Sequence, residues 1–343
     1  MRSYALLVSP SANRVYARSA AALTVAELGV LGETVLPGRL GPARPEEIAV
    51  VDYVTFDGDL DQEAADHVAN VSTAFALFER TDGAVFRPVA LHRLACLDED
   101  LVTILKYQGK TNELFTQLLL NVTVLASVAA PRMLTDRLRV LDPLCGRGTT
   151  LNQVLRYGWH AAGVDVDATD FDAYAAFLPR WLKDKRLKHT ATVAKLRREG
   201  RTLGRRLDVE LATSKQAWAD GDTITLTSAL ADTREAAEIF RTGSFDAVVT
   251  DAPYGVQHGS RSGAGLQRSP LELLAEALPG WVRLLRPGGA VGIAVNVRTC
   301  PRAEALTLLA GAGLEPRDTP AYGGFEHRVD RAIQRDIVVG VLG

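Results

Sequence analysis

From residue 139 to residue 313, short apolar runs alternate with segments whose apolar residues recur at helical spacing. Strands are predicted at 140–141, at the apolar run that ends in 164–167, and at 223–226, 244–250, 290–295 and 333–341. Helices are predicted between the first two of these strands and at 114–130, 234–240, 274–285 and 302–312. Such alternation is typical of an α/β fold with a doubly wound, mostly parallel sheet. The final two strands lack a long helix between them, which predicts a C-terminal antiparallel edge hairpin.

The first part of the chain has a different pattern and carries no chemical motif. Strands are predicted at 4–8 and 48–56, a helix at 17–31, and a hairpin from 75 to 91 that turns at Asp82-Gly83. This predicts a small N-terminal α+β domain at 1–105, before a larger domain at 106–343. The small domain is either a substrate-recruiting module or a structural appendage.

Composition narrows the class of protein. Apolar residues make up 47% of the 343 positions, and 39 basic residues nearly balance 41 acidic ones. Any contact with a polyanion must therefore come from a local patch. The three scattered cysteines and six histidines show no metal-ligand or disulfide spacing. With no predicted signal peptide or membrane span, we expect a cytoplasmic protein that binds neither metal nor membrane. The oligomeric state stays open.

Four predicted strands are followed by an acid, and the first leads into a glycine-rich turn. The acids are Asp142, Asp165, Asp232 and Asp251, and the turn runs Asp142-Pro143-Leu144-Cys145-Gly146-Arg147-Gly148-Thr149. In open parallel sheets ligands bind outside the carboxyl ends of the strands, where the strand order reverses. We therefore expect the four acids to converge on one site.

The glycine-rich turn favours a nucleoside ligand with an amino-acid end over a pyrophosphate. Leu151 stands where a dinucleotide fingerprint has its third glycine, and the P-loop ending is absent. Asp142 suits an ammonium group, Asp165 a pair of ribose hydroxyls and Asp232 the amino group of adenine. Together they predict S-adenosylmethionine as the cofactor. The residues predicted to bind it are Asp142, Pro143, Gly146, Gly148, Thr149, Asp165, Val166 and Asp232.

Two motifs resemble those of class I methyltransferases that modify exocyclic amines: the turn from Asp142 to Thr149, and Asp251-Ala252-Pro253-Tyr254. Their order, and the helix before the first motif, are similar to the tRNA guanosine N2-methyltransferase family over about residues 106–341. The resemblance implies that Asp251 and a carbonyl near Pro253 accept the amine hydrogens, while Tyr254 stacks on the base. Two departures are visible: Ala252 replaces the family's first proline, and the usual tRNA-binding module has no counterpart.

Other residues are candidates for contacting substrate. Lys110, Thr111 and Asn112 form a polar loop that is either a ligand cover or an ordinary domain connector. Ten basic residues lie between 183 and 206, Arg197, Arg198 and Arg201 among them. This segment is either a phosphate-contacting surface or a solvated helix face. His258, in a Gly/Ser-rich segment, is a further candidate.

The resemblance thus implies an enzyme that methylates guanosine N2 in tRNA. A DNA adenine N6-methyltransferase shares both motifs and is the nearest alternative. A non-catalytic nucleotide-binding module and an NAD-dependent oxidoreductase are alternatives of other classes. The missing third glycine and the acid–x–proline–aromatic sequence count against both of them. The number of methyl groups transferred is not encoded in these motifs.

Overall fold

The chain forms two β-sheets in a computed structural model that describes residues 1–10, 14–81, 85–107, 109–198, 200–253 and 270–343. The smaller sheet has five strands in the order β2-β3-β1-β4-β5, and α1 packs on β1 and β3. Its elements are β1 (Arg2–Val8), α1 (Arg14–Thr34), β2 (Arg44–Ile48), β3 (Val51–Gly58), α2 (Gln62–Ala69), β4 (Ala74–Thr81) and β5 (Val85–Val89). β4 and β5 pair antiparallel as predicted, whereas the turn Asp82-Gly83 lies outside the described residues.

The larger sheet follows two connecting helices. Its elements, with those helices, are α3 (Asp100–Thr103), α4 (Glu113–Ala126), β6 (Arg139–Asp142), α5 (Thr149–Arg156), β7 (His160–Asp165), α6 (Ala168–Asp184), β8 (Lys188–Arg198), β9 (Arg201–Ala212), α7 (Lys215–Ala219), β10 (Ile224–Leu230), α8 (Ala236–Ile239), β11 (Phe245–Asp251), α9 (Pro270–Leu284), β12 (Leu285–Asn296), α10 (Arg302–Gly311), β13 (Leu314–Arg317), β14 (His327–Arg328) and β15 (Gln334–Leu342).

The strand order is β13-β15-β12-β11-β6-β7-β10-β9-β8, and the five central strands from β12 to β10 run parallel. The chain builds outward from β6 through β7 to β10, then returns to the other side of β6 to form β11. The order therefore reverses between β6 and β11, which is where an α/β sheet opens a ligand crevice. Asp142 and Asp251 are the last residues of these two neighbouring strands.

The predicted C-terminal edge hairpin is wrong in its position. β15 does run antiparallel to β12, but it is inserted between β12 and β13, so that β13 is the edge strand. β13 has only four residues, including Glu315, Pro316 and Arg317, and its pattern resembles a loop. Because α10 connects β12 to β13, these two strands run in the same direction, and the last strand fills the gap.

From residue 188 onward the basic segment is a β-hairpin and not a helix. β8 and β9 pair with each other, and β9 adds antiparallel to β10, so the hairpin extends the sheet at the end opposite β13. The basic residues suggested helical spacing, but Thr190, Thr192 and Val193 favour a strand. Gly200 has a φ of +79°, which suits the tight turn between the two strands.

A buried polar cluster joins the small sheet to the large one. The Glu27 carboxylate of α1 accepts hydrogen bonds from the Ser72 hydroxyl at 2.6 Å and from the Asn121 amide of α4 at 2.7 Å. Tyr157, after α5, donates to the Asn121 carbonyl at 3.0 Å. A single hydrophobic core surrounds the cluster and reaches into both sheets. This anchorage positions α4, whose N-terminus carries the loop that reaches the candidate site.

The Glu27 carboxyl should make folding stability depend on pH. Burial raises its pKa to about 7, so the folded protein holds a proton that the unfolded chain releases at lower pH. The protonated Glu27 carboxyl therefore contributes about 3 kcal/mol to the free energy of unfolding. This stabilisation is fully present below the unfolded pKa and is lost as pH rises through 7. Chemical denaturation between pH 4 and pH 8 should show Glu27→Gln losing less stability than the wild type over that range. Glu63→Gln, an exposed change nearby, should retain the wild-type slope; an equal slope for Glu27→Gln contradicts the assignment.

Candidate active site

A cleft of about 500 Å³ opens at the carboxyl ends of β6 and β11, between the glycine-rich turn and the loop before α4. It therefore lies where the strand order reverses, as the sequence predicted. The residues predicted from sequence that line it are Thr111, Asp142, Gly146, Thr149, Asp251 and Pro253. Residues predicted for the cofactor and for catalysis thus share one opening.

The glycine-rich turn is held in a shape that only glycine adopts easily. Gly146 and Gly148 have φ values of +49° and +79°. A Cβ atom on Gly148 would lie 2.4 Å from the Tyr174 ring. The Asp165 carboxylate accepts a hydrogen bond from the Gly146 N–H at 2.7 Å, which ties the turn to the end of β7. The backbone of the turn that faces the cleft is thus fixed relative to the end of β7.

Asp142 is a buried carboxyl at the floor of the cleft. Its side chain is 3% exposed and accepts hydrogen bonds from the Thr250 hydroxyl at 2.8 Å and from the Leu144 N–H at 3.1 Å. Burial raises the pKa of Asp142 to about 7; its hydrogen bonds oppose that rise, and the nearby Asp165 adds to it. A group of this kind favours a cationic partner, which would compensate the buried negative charge.

Asp251 is held by one hydrogen bond and one ion pair. The Thr111 hydroxyl donates a hydrogen bond to Asp251 Oδ2, and the Arg335 guanidinium lies 3.7 Å from the same oxygen. Arg335 is 5% exposed and lies 4.4 Å above the Phe115 ring, so its own position is fixed by packing. These contacts orient the Asp251 carboxylate at the mouth of the cleft.

The lining of the cleft is strongly acidic. Four carboxyl groups line it, and Arg147 is the only lysine or arginine among its described lining residues. That arginine pairs with Asp170 at 2.7 Å and lies over the Tyr107 ring at 4.9 Å. The four acids are Asp142, Asp167, Asp170 and Asp251. A cleft with this charge attracts cations and repels pyrophosphate.

The other residues predicted to bind the cofactor lie beside the cleft or have structural partners. Asp165 clamps the glycine-rich turn, and Val166 is 75% exposed. Asp232 accepts a hydrogen bond from Arg234 Nε at 2.9 Å and caps a 3₁₀ turn, Thr233–Glu235. Pro143, Gly148, Asp165, Val166 and Asp232 are not among the residues that line the opening. Their contacts with a cofactor stay predictions.

The structure places the predicted substrate residues in different surroundings. Thr111 lines the cleft, whereas Lys110 pairs with Glu113 at 3.7 Å and Asn112 caps α4. The basic residues lie at the tip of the β8–β9 hairpin, in or beside its turn. Tyr254 and His258 lie outside the described residues. The basic residues at the hairpin tip are Arg197, Arg198 and Arg201.

Ala252, which stands where the resembled family has its first proline, is fixed to the large sheet. It is 3% exposed, and its N–H donates a hydrogen bond to the carbonyl of Ala294 in β12 at 3.0 Å. A proline has no N–H and would lose this bond. Alanine therefore keeps the residue after Asp251 tied to the sheet.

Sequence reasoning missed Arg335 and Tyr107. Arg335 lies in β15, far along the chain from Asp251, and no local motif connects them. The Tyr107 hydroxyl lies 2.8 Å from the Thr149 hydroxyl at the start of α5. Tyr107 lies just before the predicted polar loop. Its contact could have been expected if that loop had been predicted to pack on the glycine-rich turn.

Among the residues that the structure describes, no helix is both long and apolar enough to span a bilayer. In the same residues, no group of three or more histidine, cysteine, aspartate or glutamate side chains is arranged to hold a metal ion.

Gly148→Ala should destabilise the protein more than strain in the backbone alone explains. The new Cβ must displace the Tyr174 ring, and this adds about 1–3 kcal/mol to the cost of a positive φ. Gly221→Ala is the matched control, since Gly221 has a φ of +71° and nothing within 4 Å of an added Cβ. Urea denaturation compares the two; equal losses of stability would show that the contact with Tyr174 has no effect.

No protein-family model and no curated protein matches this chain. Among solved structures, PH0851 matches 99% of this chain at 12% identity with a TM-score of 0.36, and this chain spans 59% of that protein. A TehB-like SAM-dependent methyltransferase from Corynebacterium glutamicum is 14% identical over 62% of this chain and 86% of its own, with a TM-score of 0.34. A T. thermophilus 16S rRNA N2 guanosine methyltransferase, in complex with AdoMet and guanosine, is 14% identical over 61% of this chain and 36% of its own, with a TM-score of 0.30. All three TM-scores are below 0.5.

Proposed function

We propose that the protein is an S-adenosylmethionine-dependent methyltransferase acting on an exocyclic amine of a nucleobase, with guanosine N2 in tRNA as its substrate. The observation that carries this proposal is the placement of Asp142 and Asp251 in one acidic cleft. They end neighbouring parallel strands on the two sides of the reversal in strand order. The strand order also fits the class I methyltransferase sheet that the two motifs imply.

The residues of the cleft fit the proposed cofactor. S-adenosylmethionine carries a positive sulfonium and an ammonium group, and four carboxyl groups line the cleft against one arginine. Asp142, with Gly146 and Thr149 beside it, would hold the amino-acid end. When bound, the cofactor supplies a methyl group on a sulfonium, which is a good leaving group. The protein's work is then mostly positioning and electrostatics.

Residues of the cleft would orient the exocyclic amine of the substrate. The lone pair of this amine is delocalised into the base ring and must be turned toward the methyl carbon. We assign Asp251 to accept an amine hydrogen, with its carboxylate oriented by Thr111 and Arg335. Methyl transfer would form the new N–C bond and break the C–S bond, leaving the C–S electron pair on sulfur. Asp251 stabilises the positive charge that develops on the amine, whose surplus proton then passes to water.

The acidic lining also bears on the alternatives. A pyrophosphate in this cleft would face Asp142, Asp167 and Asp170, which counts against an NAD-dependent oxidoreductase. A DNA adenine N6-methyltransferase would use the same cleft chemistry. The choice between RNA and DNA therefore needs a direct test.

Labelled S-adenosylmethionine incubated with separate pools of tRNA, rRNA and DNA tests the proposal. We expect label in tRNA, as N2-methylguanosine. For Asp251→Asn we expect a loss of at least a hundredfold in rate, because the amide accepts hydrogen bonds at one atom instead of two. Asp318→Asn, an exposed change on another surface, serves as the matched control. Label in DNA alone would select the adenine alternative, and thermal stabilisation by NAD but not by S-adenosylhomocysteine would refute the methyltransferase assignment.

Binding of S-adenosylhomocysteine should release a proton near neutral pH. The Asp142 carboxyl, whose pKa is about 7, must ionise to pair with the ligand's ammonium group. For one such proton, affinity should rise about tenfold between pH 6 and pH 8. Calorimetry in buffers of different ionisation enthalpy measures both effects. Asp142→Asn should remove the pH dependence and Asp170→Asn should keep it; an unchanged dependence in Asp142→Asn would exclude Asp142 as the linked group.

A further inference from the structure

A second opening of about 500 Å³ lies on one face of the large sheet, at the end opposite the acidic cleft. It lies over the beginnings of β6 and β7 and over part of β9, where Arg139, His160 and Arg206 line it. Arg241 and Arg286 line its other side. We call this opening the arginine groove.

The groove exists because the connection between β10 and β11 is short. It contains one 3₁₀ turn, Thr233–Glu235, and α8, which has four residues. In a doubly wound sheet a helix at this position normally covers the strands. Here the polar side chains of Thr225 and Thr227 in β10 line the groove instead of packing under a helix.

The groove carries uncompensated positive charge. Arg206 pairs with Asp208 at 2.7 Å and Arg286 with Asp246 at 2.6 Å. The side chains of Arg139 and Arg241, by contrast, form no hydrogen bond or ion pair within the described parts of the chain. This contrasts with the chain as a whole, whose net charge is −2. Two unpaired arginines in a polar groove are suited to phosphate oxygens.

His160 adds a neutral donor to the groove. The Thr225 N–H donates to His160 Nδ1 at 3.1 Å, so the neutral ring carries its proton on Nε2. Burial and the positive charge of Arg139 lower the pKa of His160 and favour this neutral form. A phosphate oxygen can accept from such a ring.

The hairpin connects the groove with the edge of the sheet that carries the acidic cleft. Arg206 of β9 lines the groove. The next residue toward the hairpin tip, Arg205, lies opposite Leu230, the last residue of β10, in the antiparallel pairing of the two strands. Residues 201–204 of β9 continue past that end by four positions, or about 13 Å. The tip therefore projects from the same edge as the cleft, and it carries Arg197 and Arg201.

We propose that the arginine groove and the hairpin tip bind the sugar-phosphate backbone of the nucleic-acid substrate whose base enters the acidic cleft; this rests on the proposed function. The distribution of charge agrees with this proposal, since the cationic cofactor would occupy the acidic cleft and the polyanion the basic groove and hairpin tip. His160 and Asp165 begin and end β7, five steps or about 17 Å apart. At 3.4 Å per nucleotide step, the bound strand extends about five nucleotides from the modified one.

The test compares Arg139→Ala/Arg241→Ala with Arg87→Ala/Arg180→Ala, whose side chains are 69% and 84% exposed on other surfaces. Fluorescence anisotropy of a labelled tRNA, titrated from 50 to 200 mM salt, gives the slope of log affinity against log salt. Loss of two phosphate contacts should reduce that slope by about 1.5 and weaken binding at least fivefold. The control pair should match the wild type. Calorimetry with S-adenosylhomocysteine should give one affinity for all three proteins.

An unchanged salt slope for Arg139→Ala/Arg241→Ala overturns the groove assignment, whatever the fate of the methyltransferase assignment. Oligonucleotides of three and twelve nucleotides provide a second measurement: only the longer one should be sensitive to the two arginines. Tight, arginine-dependent binding of ATP that displaces tRNA would make the groove a site for free nucleotides, against the proposal. If RNA binding depends on Arg139 and Arg241 but the protein does not bind S-adenosylhomocysteine, the groove assignment is supported and the proposed function is refuted.

Discussion

The parallel pairing of β6 and β11 is the constraint on which the candidate site depends. Because the strand order reverses between them, a cleft opens at their ends. The Thr250 hydroxyl of β11 donates to the Asp142 carboxylate of β6 at 2.8 Å and fixes the two ends relative to each other. Asp251, one residue after Thr250, is thereby held beside the glycine-rich turn.

The electrostatics of the cleft follow from burying carboxyl groups there. An ionised carboxylate without a partner is destabilising in a protein interior, and the raised pKa of Asp142 reflects this. A cationic ligand relieves that penalty, so the same burial that raises the pKa favours binding of a sulfonium or ammonium. Arg335 reaches Asp251 from β15, the strand inserted antiparallel between β12 and β13. The last strand of the sheet thus completes the site as well as the fold.

Local sequence encoded the parts of the site that lie within one turn or one strand end. The acids after the strands, the glycine-rich turn and the doubly wound sheet were all predictable, because each follows from residues adjacent in sequence. Arg335 was not, since its contact with Asp251 depends on where β15 inserts. The β8–β9 hairpin was mistaken for a helix because closely spaced basic residues obscured its β-branched positions. The arginine groove was invisible because it arises where a covering helix is missing.

The claim that this cleft holds the cofactor beside Asp251 is tested most directly by a crystal structure of the complex with S-adenosylhomocysteine. We expect the ligand's amino group within hydrogen-bond distance of Asp142, directly or through one water. We also expect the ligand's sulfur to face the space in front of Asp251. Ligand bound elsewhere, or bound in the cleft with its amino group away from Asp142, would contradict this claim.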